Sequence, residues 1–200
     1  MKKHLTVTAI IAAAALAAGL ATAPATQQDP PTGGEGMEGM PPMPPPPGEH
    51  HEWLQQLVGE WTTESEMAPG MPDMKTTGTD TVRSLGGRWI LCDHAGEFPG
   101  MGPFTAVLTL GYNPETGKYQ GTWIASIEDH MWIYEGTLDP TGKILTLETE
   151  GPDMMNPAPG KTAKYRDVIE IKSADHRTMT SSALVEGEWV EFVTMNYHRK

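Results

Sequence analysis

The strongest constraint in the chain is an alternation of apolar and polar residues that starts at Trp61 and persists to the C-terminus, broken at intervals by turn-forming clusters. Successive side chains of an extended strand point to opposite faces, so this pattern builds half-buried β-strands and not helices. Runs at 61–66, 75–85, 88–97, 104–112, 118–127, 131–138, 144–150, 162–172, 176–185 and 188–198 read as about ten strands. Between them stand Asn113-Pro-Glu-Thr-Gly117, Asp139-Pro-Thr-Gly142, Ser173-Ala-Asp175 and Glu186-Gly187, all with turn chemistry. Short hairpins place consecutive strands side by side, which gives an antiparallel meander. A flat meander of this length leaves long unpaired edges, and closure removes them. The expected fold is therefore all-β, a closed barrel. On one strand Tyr119, Gly121, Trp123, Ala125 and Ile127 share a face; on the last strand Trp189, Val193, Met195 and Tyr197 do. Alternation alone does not say which face points inward.

What precedes the strands differs in kind. Residues 49–57 (EHHEWLQQL) space Trp53, Leu54 and Leu57 along one helical face, and Gly59 follows as a stop signal. A short amphipathic helix across one end of the barrel is expected. Residues 26–48 are Pro, Gly and Met with few branched apolar side chains, a disordered linker by composition. Before that, Lys2 and Lys3, an apolar run over 5–20, and Ala23 and Ala25 have the order of a cleaved export signal over residues 1–25. The run is too short and too alanine-rich for a bilayer-spanning anchor. A periplasmic or extracellular protein with its folded domain at 49–200 is expected, free of the membrane once the signal is removed. A single cysteine, Cys92, allows no disulfide within the chain, so stability must come from a packed core. The net charge of −12 disfavours nucleic acid and anionic membrane surfaces as partners.

Several motifs together carry a family resemblance. His51-Glu-Trp-Leu54 through Leu57-Val-Gly-Glu-Trp61, Leu85-Gly-Gly-Arg-Trp89, Gly111-Tyr112, Tyr119, Trp123, Tyr134-Glu-Gly136 and Asn196-Tyr-His-Arg199 resemble the bacterial family called domain of unknown function 1579. The resemblance spans His51 to Lys200 and implies a lipocalin-like or calycin-like barrel, often exported, with no settled activity. Where the family pattern has aspartates after Gly-Tyr and near the strand tryptophan, this chain has Asn113 and Ala125, so no role of those acids carries over. Gly-x-Trp openings also resemble those of small haem-binding barrels of the nitrobindin type. His94 and His198 are the residues that could ligate iron here, but neither sits in a matching motif.

Barrels of this size can enclose one small ligand. Trp61, Trp89, Trp123 and Tyr134 are candidate lining, and Arg83 and Arg88 are the charges whose direction matters most. A guanidinium turned inward demands a partner and would select an anionic amphipathic ligand. The leading expectation is non-covalent binding of a small apolar or amphipathic molecule. Three alternatives stand beside it: a structural or interaction module with a filled barrel, Cu(I) binding through thioethers such as Met37, Met40 and Met43, and haem inside the barrel. Cys92 reads as a buried small hydrophobe, with His94 on the same strand face. His50 and His51 point about 100° apart on a helix and do not converge on one metal ion. Asp129 and His130 fall at a hairpin tip, where turn formation and solvation account for both. No serine elbow, zinc-protease motif, phosphate loop or cysteine cluster is present, so no enzyme and no cofactor is expected.

Overall fold

The computed structural model describes residues 44–200 apart from residues 73 and 101; the expected export signal and most of the expected linker, with Met37, Met40 and Met43, lie outside the described residues. The element order is α1 (Glu49–Gln55), β1 (Gly59–Met67), β2 (Thr77–Leu85), β3 (Trp89–Phe98), β4 (Gly102–Asn113), β5 (Lys118–Ala125), β6 (Trp132–Leu138), β7 (Ile144–Pro152), β8 (Thr162–Ser173), β9 (His176–Val185) and β10 (Glu188–Arg199). Every strand pairs antiparallel with its chain neighbours, and β1 pairs with β10 to close the barrel. The all-β meander read from the alternation is the fold. Its turns use the residues that marked them: the Asp139 carboxylate accepts hydrogen bonds from the Thr141 hydroxyl and from the Ile144, Lys143 and Thr141 amides, which hold it down to about pKa 2.

The helix plugs one end. Trp53, Leu54 and Leu57 are buried, and the Trp53 indole donates to the Gly142 carbonyl at 2.7 Å. His51 has a capping role: its Nδ1 accepts from the Gly48 amide at 3.1 Å, while His50 stacks on Tyr112 at 4.2 Å. Under the helix lie Trp61, Ile90, Leu110, Tyr119, Leu145 and Ile169, each no more than 1 % exposed. Arg199 locks the arrangement from the C-terminal strand, donating to the Val58 and Gln56 carbonyls at 2.8 and 3.0 Å.

Two glycines let the wall curve tightly. Gly121 stands opposite Tyr134 and Gly136 opposite Tyr119, so each ring lies beside a missing side chain. A Cβ at Gly121 would overlap the Thr109 carbonyl, and one at Gly136 the Thr146 carbonyl. Backbone of a neighbouring strand cannot swing away as a side chain can. Alanine at either position is expected to cost about 1–3 kcal/mol or more, read as a lower denaturant midpoint with an unchanged slope.

The last strand departs from the alternation. Its register with β9 shifts between Glu191 and Val193, and this bulge reverses which face each residue meets. Val193, Met195 and Tyr197 face inward, whereas Trp189 lies outside under the Arg166 guanidinium, 3.9 Å from its ring centre. The grouping of Trp189 with those three therefore fails at the bulge.

Candidate functional site

The inner wall is not uniformly apolar. On β2, Asp80 shares the inward face with Val82 and is 3 % exposed. Across the register, β3 brings His94 to Asp80, and Nδ1 lies 2.6 Å from the Asp80 Oδ1. From β9, Arg177 points inward on the face of Met179, Ser181 and Ala183, with 5 % exposure. Its terminal nitrogen lies 3.5 Å from the other Asp80 oxygen. That separation gives Coulomb attraction without hydrogen-bond geometry, and Arg177 Nε and Nη2 have no hydrogen-bond partner within the protein. Aromatic faces complete the cradle: the guanidinium carbon is 4.1 Å from the Tyr197 ring and 4.8 Å from that of Trp61. Thr63, inward on β1 and paired in register with Tyr197, has a buried hydroxyl that is likewise unpartnered.

A second polar group sits on the strand next to that of Arg177. Asp167 of β8 accepts from Tyr134 at 2.7 Å and from Ser181 at 2.5 Å. Burial pushes its carboxyl above the ordinary carboxylate range, against the downward pull of those two bonds. Burial raises the Tyr134 and Tyr197 phenols too, so both stay neutral donors at physiological pH. Because Asp167 holds its proton more tightly folded than unfolded, its stabilisation is complete below about pH 3.8 and is lost as pH rises through the folded value. Asp167→Asn should remove that loss. Urea midpoints are expected to show the variant gaining on the natural chain as pH rises above about 3.8.

Toward the end away from the helix, small residues occupy much of the inner face: Ser65, Gly78, Gly96, Ala106, Ala125 and Gly151. Among them stand aromatic rings, with Trp132 edge-on to Tyr165 at 5.1 Å and Trp123 paired in register with Trp132. A separate concavity of about 430 Å³ lies where β8 meets β9, lined by Asp153, Met155, Lys161, Glu186 and the inward Ala163 and Ala183 among others. His130, expected to be solvated at a hairpin tip, instead packs against Trp132 at 4.8 Å, and its buried Nε2 lacks a partner, as does the Thr149 hydroxyl.

The residues singled out by sequence divide sharply. Trp61 and Tyr134 face inward and are buried, and Trp123 faces inward half-buried. Trp61 fills the helix end instead of bordering open space, donating to the Leu57 carbonyl at 2.9 Å. Trp89 lies outside, its ring covering Gly111, because Ile90 and Cys92 take the inward positions of β3. Arg83 is also outside: its neighbour Val82 faces the core, leaving Arg83 56 % exposed and 3.8 Å from Asp93. Arg88 reaches back to the Pro45 carbonyl. Of the metal candidates, His94 has one nitrogen engaged by Asp80, and His198 lies on the outer surface stacked on His176 at 4.5 Å. Among the described residues no three His, Cys, Asp or Glu side chains converge as a metal site. Burial, reinforced by Asp80, pushes the Cys92 thiol well above its usual range and keeps it protonated. Missed entirely were Asp80, Arg177 and Asp167. Their signal was a charged residue at an apolar position of the alternation, in step with Val82, Met179 and Ile169.

These features define a lipocalin-like barrel, plugged by a helix at one end and polar across its middle. The chain belongs to the family described as Protein of unknown function (DUF1579), which matches residues 46–199. Among solved structures it is similar to Rv2717c from M. tuberculosis, at 15 % identity over 76 % of this chain and 98 % of that one, with a TM-score of 0.53. It is also similar to the S-type phycobiliprotein lyase CPES from Guillardia theta, at 14 % identity over 74 % and 91 % of the two chains, with a TM-score of 0.51. Both likenesses are of fold. No curated protein matches the chain.

Proposed function

We propose that this chain is an exported barrel that binds one small amphipathic molecule non-covalently inside its wall. The observation that carries the reading is the buried polar belt of Asp80, His94, Arg177, Asp167 and Tyr134. A barrel serving only as a scaffold gains nothing from interior ion pairs, since apolar side chains of similar volume there are neutral or stabilising. Trp123, Trp132 and Tyr165 offer an apolar surface on the same inner wall. Export rests on the order of Lys2, Lys3, the apolar run and Ala25. The test is titration of the full chain with 1-aminoanthracene, a neutral fluorescent apolar probe. Saturation at one equivalent, with energy transfer from tryptophan, is expected; absence of saturable binding sinks the reading.

A second reading, an interaction module, is favoured by one observation. Ile124, Ile127, Met131 and Ile133 are all about half exposed or more around the β5–β6 hairpin. The same titration separates the two. A chain that takes up no probe, and whose sedimentation changes on Ile133→Asp, acts through its surface.

A further inference from the structure

We propose that the molecule taken up by the barrel carries a single negative charge, a carboxylate, and that Arg177 with Thr63 is its anchor. The inference rests on the ligand-binding reading and names the chemistry of its polar end. Arg177 Nε and Nη2 are buried N–H donors with no acceptor, and the Thr63 hydroxyl is buried without a partner. Register places the two residues on either side of Tyr197, Thr63 on β1 and Arg177 on β9, the two strands that flank β10 on the inner face. A guanidinium presents its donors as a planar fork, and a carboxylate meets such a fork with two parallel hydrogen bonds.

The surroundings set the charge. The Tyr197 and Trp61 ring centres lie 4.1 and 4.8 Å from the guanidinium carbon, and their faces supply no hydrogen-bond acceptor, which leaves the Nε and Nη2 N–H groups for one. Asp80, 3.5 Å away, already balances one positive charge, and its other oxygen is occupied by His94. A dianionic phosphomonoester would face that carboxylate at close range and be repelled. A monoanion adds one charge, offset by the hydrogen bonds it completes. A neutral alcohol accepts one such bond at most and leaves the fork unsatisfied. The ligand is therefore a carboxylate with an apolar body, ordered by chemistry above the phosphate and the alcohol of the same chain length.

Isothermal titration of the full chain with decanoate, decanol and decyl phosphate tests this directly. Decanoate is expected to bind at least tenfold more tightly than either of the others. Arg177→Gln should bring decanoate to the level of decanol and leave decanol unchanged. Should that variant fail to fold, Thr63→Val supplies the second measurement, a several-fold loss for decanoate alone. Equal binding of all three by the natural chain overturns the carboxylate anchor while leaving the ligand-binding reading intact. Preference for decyl phosphate overturns the monoanion. No binding of any of the three, together with no uptake of 1-aminoanthracene, overturns both.

Discussion

Asp80→Ala is expected to destabilise the barrel by about 3–5 kcal/mol, because it leaves the Arg177 charge buried with no counter-charge. Asp80 holds two groups at once, the His94 ring at 2.6 Å and the Arg177 guanidinium at 3.5 Å. Its loss strands both in an interior where neither is solvated. The double variant Asp80→Ala, Arg177→Met should recover a large part of the loss, since replacing a buried pair with apolar side chains removes the desolvation cost along with the attraction. Urea unfolding of the single and double variants measures the recovery. A double variant no more stable than Asp80→Ala would mean that the pair is not energetically coupled.

Trp61→Ala is expected to cost a comparable amount, about 3–5 kcal/mol, for a different reason. The side chain is 1 % exposed and fills the helix-plugged end of the barrel. Its indole N–H bonds the Leu57 carbonyl, and its ring packs against two guanidiniums, Arg177 at 4.8 Å and Arg199 at 4.2 Å. Alanine leaves a cavity between α1 and the strands, removes the bond that ties the helix end to β1, and strips both arginines of an aromatic face. Trp61→Phe keeps most of the volume and loses the hydrogen bond, so a loss nearer 1 kcal/mol is expected. Equal losses in the two variants would place the cost in the hydrogen bond and not in packing.

The fold was legible because barrel formation depends on features that are local in sequence. Turn residues such as Asp139 and Gly142 fix hairpins between neighbours, and alternation fixes which residues share a face. The bulge at Glu191–Val193 was not legible: one extra residue in a strand leaves no compositional mark, yet it moves Trp189 outside. Of the candidate lining residues, Trp123 and Tyr134 face the inner wall, and Arg83 and Trp89 belong to the outer one. Choosing the inner face of β2 from Val82 would have turned Arg83 outward and Asp80 inward in one step. Nothing local to the sequence pairs Asp80 with Arg177, because they lie almost a hundred residues apart and meet only when β1 and β10 close the barrel.

The central claim is that ligand binds inside the wall at Arg177, and the arginine Nε–H resonances of the full chain test it most directly. On addition of decanoate, the Arg177 resonance should shift and its exchange with water slow, while those of Arg83 and Arg88 on the outer surface stay in place. An unmoved Arg177 resonance alongside shifts at Arg83 or Arg88 would contradict the account.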